Sequence, residues 1–406
     1  MCYNIDMNVA EYIHEMAVKA RAAAGELAKL STEEKNAALT AIADRLEQDA
    51  AAIKAANAID VANAKAAGLK DAMVDRLTLT DARFKSMVEG VRHIFSLPDP
   101  VGEEIWARER PSGITIRKVR VPFGVVAVVF ESRPNVFIDT AALCLKTGNA
   151  IILRGGKEAI ETNKALYRTV AALGDRALAN AIQLVEILDH EAVSELVRSV
   201  GLIDVAIPRG GERLIRAMCE AALIPVLKHY KGVCHIYVDD EADLAMALSI
   251  LDNAKVQRPG VCNAAECLLV HRKLAPLFLP MVEAWARDKK VTLHENEAGT
   301  EYLSLDINVA LVDDYRAAID FINANSSHHS ECIVTNNAVR AKEFLRDVDS
   351  ACVYHNVSTR FTDGGEFGMG AEIGISTDKL HARGPMGLEE LTTYKYTITG
   401  DGVVRR

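Results

Sequence analysis

The feature that most constrains how this chain can fold is an alternation of two patterns from residue 125 to about residue 355. Short runs of consecutive apolar residues, such as VVAVVF at 125–130, are separated by segments whose apolar positions recur at helical spacing. A strand buried on both faces requires such a run, and strands that alternate with helices form parallel sheets. The alternation therefore predicts an α/β fold with two doubly wound parallel-sheet domains.

The alternation divides into two series, with no long linker or internal repeat between them. The first series predicts strands at 125–130, 150–154, 182–188, 203–208 and 224–229, with helices near 136–146, 159–173, 190–199 and 212–222. The second begins near 235 and predicts strands at 266–270, 307–312, 331–335 and 350–355, with helices at 243–256, 275–288, 315–324 and 337–346.

The chain before residue 125 has a different character. Residues 8–95 are rich in alanine and predict helices throughout, with a capping box at Ser31–Glu34 and the end of the second long helix at Gly68. Residues 103–120 alternate around a Pro-Ser-Gly turn, which predicts a charged hairpin exposed to solvent or to another subunit. The segment 392–402 is again extended and is suited to pair with that hairpin.

Charge and hydropathy restrict the partners and the location. The 406-residue chain has a net charge of −9 at pH 7 and no long basic run, so we predict no nucleic-acid partner, although a small anionic ligand remains compatible. No stretch approaches the roughly 18 consecutive apolar residues of a membrane helix, and residues 1–20 lack the pattern of a secretory signal. The sequence predicts a cytoplasmic protein without membrane association.

The eight cysteines are scattered, and none belongs to a CxxC pair. This scatter fits neither a disulfide framework nor a zinc site, so most thiols are predicted to be reduced and buried. The adjacent residues His328 and His329 are better explained as loop residues, because neighbours rarely ligate one ion and no third ligand lies at helical spacing. The sequence predicts no metal site.

Two glycine pairs follow predicted strands and have basic neighbours. One lies in the segment Arg154–Lys157 (RGGK), and the other in Arg209–Gly211 (RGG), directly before a predicted helix. Glycine lets a phosphate approach the backbone, and the N-terminus of a following helix favours negative charge. Either pair alone is more often a simple tight turn, but two basic pairs in one sheet favour a nucleotide site.

One cysteine differs from the others in its surroundings. Cys262 lies in NAKVQRPGVCNA (253–264), where a predicted helix ends and a Pro-Gly turn precedes the thiol. Unpaired backbone N–H groups in such a turn, together with nearby Arg258, favour a thiolate and can stabilise an oxyanion. An ordinary buried thiol is the alternative for any single cysteine, and Cys267, inside ECLLV, fits that alternative better.

These segments resemble a known family. The stretch 121–159, with ESRPNV and LRGGKEA, is similar to the cofactor-domain core of the aldehyde dehydrogenase superfamily, and QRPGVCNAAE (257–266) is similar to its nucleophile loop. The motifs IPRGGERL, GMGAEIGIS and LHARGPMGLEEL extend the resemblance, over nearly the whole chain, to a branch that reduces an acyl phosphate.

The resemblance implies a reaction and a domain organisation. L-glutamyl 5-phosphate would be reduced by NADPH to L-glutamate 5-semialdehyde and phosphate, the second step of proline synthesis, with glutamate 5-kinase as a pathway partner. The implied parts are an NADP-binding domain at 1–102 and 121–234, a catalytic domain at 235–385, and an oligomerisation ribbon at 103–120 and 386–406 in a homo-oligomer.

The resemblance also implies roles for single residues. Cys262 matches the nucleophile that forms a thioester, and Asn135 matches the amide that binds the oxyanion together with the backbone N–H of Cys262. NAD-preferring relatives carry a Glu at the position of Lys157, so an ammonium there implies NADP(H). The positions matched to the cofactor are Arg154 and Lys157 at the adenosine ribose, Gly210 and Gly211 with Arg209 at the pyrophosphate, and Glu301 at the nicotinamide ribose.

One departure from the superfamily pattern favours a reductase. Oxidising relatives carry a Glu that activates water for hydrolysis of the thioester, whereas the matching stretch here, Lys228–Gly232, contains no carboxylate. The thioester should then persist until hydride or phosphate attacks it. Two alternatives stay open: an NAD(P) aldehyde dehydrogenase acting on another small aldehyde or acyl phosphate, and a non-catalytic descendant, which the intact Cys262 and Asn135 disfavour.

Arg133 and Arg258 are candidates for binding the phosphoryl group or a carboxylate of the substrate. Structural pairing with acidic side chains is an equally good explanation for both, since a buried charge needs a partner.

Overall fold

The chain forms two units in a computed structural model that describes residues 8–174 and 176–405. Of the described residues, the first unit contains those up to Leu227, Met369–Gly374 and those from Met386 onward, and the second contains Lys228–Gly368 and Ile375–Pro385. The predictions for residues 1–7, which include Cys2 and the start of the NADP-binding domain, and for Arg406 lie outside the described residues.

The first unit opens with five helices. Ser31 accepts the N–H of Glu34, whose carboxylate accepts the N–H of Ser31 in return, which confirms the predicted capping box. The predicted second long helix is two helices, interrupted at Asp49, whose carboxylate accepts hydrogen bonds from Arg45 and Thr169. Gly68, with a φ of +72°, therefore follows the third helix. The five are α1 (Val9–Leu27), α2 (Thr32–Gln48), α3 (Ala50–Ala66), α4 (Asp71–Leu77) and α5 (Asp81–Ser96).

The same unit contains a hairpin and a four-stranded parallel sheet. The hairpin is β1 (Glu104–Glu109) and β2 (Thr115–Pro122), and the sheet contains β3 (Val125–Phe130), β4 (Ala150–Gly155), β5 (Ile182–Leu184) and β6 (Val205–Arg209) in the order β5-β4-β3-β6. The helices of this part are α6 (Asn135–Lys146), α7 (Ile160–Ala171), α8 (Arg176–Ala181), α9 (Glu191–Arg198) and α10 (Glu212–Ala221). All residues of β3 and β4 are buried, which accounts for the apolar runs VVAVVF and AIIL that they contain.

Two predicted strands of this sheet are wrong in part. β5 ends at Leu184 instead of residue 188, and the carbonyl of Leu188 accepts the guanidinium of Arg154 at 2.9 Å in place of a strand partner. The predicted strand at 224–229 is reduced to one bridge between Val226 and Ala206. Pro225 explains this, because it has no N–H to donate to a ladder and offers only its carbonyl to Ala206.

The second unit is built on a six-stranded parallel sheet in the order β12-β11-β7-β8-β10-β9. Successive residues of β7 point to opposite faces, with Ile236 and Val238 in one apolar cluster and Tyr237 in another. The short strand β9 is absent from the sequence prediction. The strands are β7 (Cys234–Val238), β8 (Ala265–His271), β9 (Thr292–His294), β10 (Asp306–Val312), β11 (Ser330–Val334) and β12 (Cys352–His355), and the helices are α11 (Leu244–Val256), α12 (Ala275–Lys289), α13 (Tyr315–Asn325) and α14 (Ala338–Asp347).

The end of the chain forms β13 (Gly374–Ser376), β14 (Gly384–Met386) and β15 (Thr392–Thr399). β15 pairs with the whole of β2, from Thr392 opposite Pro122 to Thr399 opposite Thr115, so the C-terminal segment joins the hairpin as the sequence suggests. The result is a three-stranded antiparallel ribbon, β1-β2-β15, within the first unit. No helix in the described part of the chain is long and apolar enough to span a membrane.

Candidate active site

The two glycine pairs lie at one edge of the first unit's sheet. Phe130, the last residue of β3, is opposite Gly155 of β4 on one side and Arg209 of β6 on the other. The carboxyl ends of the three strands are therefore adjacent, at the point where the strand order reverses. Open α/β sheets bind their ligands at this kind of switch point. The position suits the predicted cofactor site, and the residue roles there stay a prediction.

The glycines also have a structural reason to be glycine. A Cβ on Gly155 would overlap the amide of Asn163, and one on Gly156 would overlap the carboxylate of Glu158. That carboxylate accepts the backbone N–H of Ser132 at 2.8 Å and its hydroxyl at 2.7 Å. The tight-turn explanation and the phosphate explanation are thus compatible for this pair.

The N-terminus of α10 already has an anionic partner. The N–H of Gly211 donates to Glu131 Oε2 at 2.9 Å, and a Cβ on Gly210 would lie 2.7 Å from the same oxygen. A carboxylate here interacts favourably with the positive end of the helix dipole, as a phosphate would.

The basic residues at this edge differ in exposure. Lys157 is exposed and Arg209 is half-buried. Arg154 is buried, and its guanidinium donates to the carbonyls of Gly155 and Leu188. Burial lowers the pKa of Arg154. Lys157 is thus the more accessible of the two cations predicted near the ribose.

Asn135 is the first residue of α6, directly beyond the carboxyl end of β3. Its Nδ2 donates to Asp139 Oδ2, one turn further along, at 2.8 Å. Burial raises the pKa of Asp139 to about 6, against the opposing effects of this hydrogen bond and of the charge on Arg209. An amide nitrogen carries two N–H groups, so Asp139 orients the side chain without using both. Arg133 is exposed in the preceding loop.

In the second unit, the predicted nucleophile lies on the turn between α11 and β8. Cys262 is half-buried, unlike Cys234 and Cys267, which are buried in strands. The two ends of the turn are joined by a fully buried ion pair between Lys255 and Glu266, with Nζ and Oε2 2.7 Å apart. The environment of Cys262 therefore differs from that of the buried thiols Cys234 and Cys267, as the sequence predicts.

Two groups contact the backbone of this turn from the side of β7. The thiol of Cys234 donates to the carbonyl of Cys262 at 3.2 Å, and burial raises the pKa of Cys234. A Cβ on Gly232 would overlap the carbonyl and Cα of Cys262. The N–H of Gly232 donates to Glu301 Oε1 at 2.7 Å, so the residue predicted to bind the nicotinamide ribose is tied to the backbone that packs on Cys262.

Sequence reasoning missed a second cation beside the turn. Arg360 Nε donates to Gln257 Oε1 at 2.9 Å, and its Nη1 binds the side-chain oxygen of Asn263. Burial, and then the positive charge of the exposed Arg258, lowers the pKa of Arg360. The negative charge of Asp363 opposes this effect, so the repulsion between the two arginines is partly offset. Arg360 lies about a hundred residues from the turn, so local spacing carried no signal for it.

Sequence reasoning also missed that two histidines, His229 and His329, lie next to the cysteine. Potential ligand atoms of His229, Cys262 and His329 all lie within 4.8 Å of one another. The two imidazoles meet edge to face, with centroids 5.5 Å apart. Burial, and the neighbouring His229, lower the pKa of His329 to about 3, so its imidazole is neutral at pH 7. The pairing considered from the sequence, His328 with His329, is not the one the fold produces.

Comparison with known proteins places this chain in a family. A sequence model of the aldehyde dehydrogenase family matches residues 2–301. The chain belongs to the aldehyde dehydrogenase family; it is an oxidoreductase, and the family uses NAD or NADP.

Three proteins similar to this chain share the name of one particular enzyme of the family. Gamma-glutamyl phosphate reductase of Moorella thermoacetica is 51% identical, over 98% of this chain and 100% of that protein. The enzyme of the same name from Thermobifida fusca is 49% identical, over 97% and 98% of the two chains. The crystal structure of gamma-glutamyl phosphate reductase from Thermotoga maritima matches with a TM-score of 0.95 at 43% identity, covering 97% of this chain and 100% of that one. This match confirms the predicted fold class.

Proposed function

We propose that this chain reduces L-glutamyl 5-phosphate to L-glutamate 5-semialdehyde and phosphate with NADPH, through a thioester on Cys262. The observation that carries the proposal is the 51% and 49% identity, over nearly full length, to two gamma-glutamyl phosphate reductases. Such a reaction is the second step of proline biosynthesis, and a glutamate 5-kinase that makes the acyl phosphate would be the pathway partner.

The covalent step uses the turn that carries Cys262. Its thiolate attacks the acyl carbon, the carbon–oxygen bond to the phosphate breaks, and the phosphate leaves with the electron pair. The backbone N–H of Cys262 and the amide of Asn135 would stabilise the negative oxygen. Arg258 and Arg360, together with Arg133, are candidates for the phosphoryl group and the substrate carboxylate. After reduction of the thioester, the carbon–sulfur bond breaks and the thiol is regenerated.

The carboxyl edge of the first sheet fits a dinucleotide. It offers two glycine turns, the N-terminus of α10 and the exposed ammonium of Lys157. When bound, NADPH supplies the hydride that reduces the thioester. The proposed contacts are Arg154 and Lys157 at the adenosine ribose, Arg209, Gly210 and Gly211 at the pyrophosphate, and Glu301 at the nicotinamide ribose. For a pyrophosphate to receive the N–H of Gly211, the carboxylate of Glu131 has to move away.

We infer that the ribbon β1-β2-β15 is an oligomerisation surface. Alternate side chains of β15, Tyr394, Tyr396 and Ile398, are 49%, 50% and 58% exposed. Side chains two apart share one face of a strand, so these three form an exposed apolar row at the edge of a sheet. Exposed apolar patches mark surfaces at which proteins associate, and we infer that a second copy of the chain covers this row.

The covalent route is tested with Cys262→Ser and the matched control Cys219→Ser, a half-buried cysteine of the first unit. The assay is phosphate-dependent reduction of NADP+ with glutamate 5-semialdehyde. We expect Cys262→Ser to lose about a thousandfold or more in rate, and Cys219→Ser to stay near wild type. Substantial activity in Cys262→Ser would reject the thioester. Rapid oxidation without phosphate would favour the alternative, an aldehyde dehydrogenase that releases a free acid.

The preference for NADP is tested with Lys157→Glu. A carboxylate repels the 2′-phosphate of NADP but can accept the ribose hydroxyls of NAD. We expect the ratio of kcat/KM for NADPH over NADH to fall by at least tenfold, with Lys164→Glu in α7 as the control. An unchanged ratio would refute the role of Lys157.

A further inference from the structure

We propose that His229, Cys262 and His329 form a reversible Zn²⁺ site that masks the thiol of Cys262. The three residues come from separate segments, before β7, on the turn before β8 and before β11, and the fold brings their ligand atoms within 4.8 Å of one another. Two imidazoles and one thiolate are a donor set that zinc prefers.

The spacing is close to that of a tetrahedral site. With bonds of about 2.0–2.3 Å, ligand atoms around tetrahedral zinc are about 3.4–3.6 Å apart. The observed upper limit of 4.8 Å therefore has to shorten by about 1.2–1.4 Å. His229 and Cys262 are both half-buried, so side-chain rotation can supply this movement without a change in the sheet.

The hydrogen bonds of His229 select one of its nitrogens. Nδ1 lies 2.8 Å from the carbonyl of Ile375, which can only accept, so Nδ1 carries the proton. Nε2 is then the nitrogen with a lone pair. A metal-binding histidine commonly donates its other N–H to a backbone carbonyl in this way, which fixes the tautomer and the ring orientation.

His329 has a buried nitrogen that needs a partner. Its side chain is fully buried, and among the described residues its Nε2 has no hydrogen-bond partner, while Nδ1 lies 2.8 Å from Ser330 Oγ. A buried polar atom without a partner costs free energy. A cation coordinated by Nε2 would supply the missing interaction.

The binding step involves no redox change. The S–H bond of Cys262 breaks, a proton is released to solvent, and the sulfur electron pair forms the Zn–S bond. Three protein ligands leave a fourth position for water. The inhibitory consequence rests on the proposed function, because a sulfur bound to zinc cannot attack an acyl carbon; the binding site itself does not depend on it.

The test uses Co²⁺ as a spectroscopic probe of the full-length reduced protein. We expect one equivalent to bind with a thiolate-to-cobalt charge-transfer band in the near ultraviolet and with the intense visible bands of a tetrahedral ion, and Zn²⁺ to displace it. Cys262→Ser should lose the charge-transfer band. His229→Gln and His329→Gln should each weaken binding by at least about tenfold. His328→Gln, the neighbouring histidine outside the cluster, is the control and should bind as the wild type does.

Two outcomes would overturn the proposal: no thiolate band in the wild type, or unweakened binding in both histidine variants. If His329→Gln does not fold, His229→Gln decides, because that side chain is half-buried. A separate activity assay distinguishes this proposal from the proposed function. Loss of reductase activity in Cys262→Ser without any cobalt band in the wild type would reject only the zinc site. A cobalt band in the wild type together with reductase activity in Cys262→Ser would reject only the thioester route.

Discussion

Close packing at single residues fixes the turn that carries Cys262. The backbone of this turn lies directly against Gly232, where a Cβ would overlap the Cys262 carbonyl. The overlapping atoms are backbone, which cannot rotate away as the end of a side chain can. The same glycine donates its N–H to Glu301. A displacement here therefore moves the proposed nucleophile and a proposed cofactor ligand together.

Gly232→Ala is expected to destabilise the protein by about 1–3 kcal/mol, the usual cost of forcing an extra carbon into a packed site. Thermal or denaturant unfolding measures the effect. Gly25→Ala is the control: it lies within α1 with nothing near its Cβ position, so we expect a gain of about 0.5–1 kcal/mol. Equal stability of Gly232→Ala and wild type would contradict the packing described.

Asp139 makes a pH-dependent contribution to the stability of the fold, and this contribution can be measured separately. Burial raises its pKa to about 6, while in the unfolded chain it titrates near 3.8. Between these values the native state holds more protons than the unfolded state, so rising pH disfavours folding. Between pH 4 and 7, we expect the free energy of unfolding of the wild type to fall by about 1–3 kcal/mol relative to that of Asp139→Asn, at about 1.36 kcal/mol per pKa unit. Urea unfolding at both pH values measures this; a difference that does not change with pH would refute it.

At the scale of elements, strands were easier to predict than their ends. β3 and β4 are buried on both faces, and that burial appears in the sequence as the apolar runs VVAVVF and AIIL. The end of β5 and the loss of the strand at 224–229 depend on partners instead: Arg154 takes the carbonyl of Leu188, and Pro225 lacks an N–H. Apolar periodicity contains no information on either event.

In the candidate site, too, features marked by the local sequence could be predicted, and features that depend on distant parts of the chain could not. Cys262 and Asn135 could be located because local turn chemistry and family resemblance mark them. His229, His329 and Arg360 could not, because their proximity to the turn arises from the order of strands in the second sheet and from the loop after β12. Such neighbours are set by topology, which a local spacing rule cannot detect.

The N-terminus of α10 supports a prediction about cofactor affinity. Glu131 accepts the N–H of Gly211 and adds negative charge where we propose the pyrophosphate. Glu131→Gln should tighten NADPH binding about two- to fivefold, which corresponds to 0.3–1 kcal/mol for a charge at a helix end. Nicotinamide fluorescence measures the Kd. Glu220→Gln, near the other end of α10, is the control and should have no effect; weaker binding in Glu131→Gln would mean that the carboxylate assists the cofactor.

At the scale of the whole molecule, the proposed contact between copies of the chain is the ribbon. It presents β15 as an edge strand with an exposed apolar row. Ile398→Lys places a charge in this row and should lower the mass of the particle in sedimentation. Thr399→Lys makes the same charge change on the opposite face of β15 and should leave the mass unchanged. An unaltered mass for Ile398→Lys would rule out this row as the contact.

The most direct measurement concerns the life of the covalent intermediate. The reverse reaction is started with glutamate 5-semialdehyde and NADP+ in phosphate-free buffer. We expect a burst of about one NADPH per active site, a glutamyl adduct on Cys262 by intact-protein mass spectrometry, and steady turnover once phosphate is added. Cys262→Ser should give neither burst nor adduct. Steady turnover without phosphate, or a burst without an adduct on Cys262, would contradict the account.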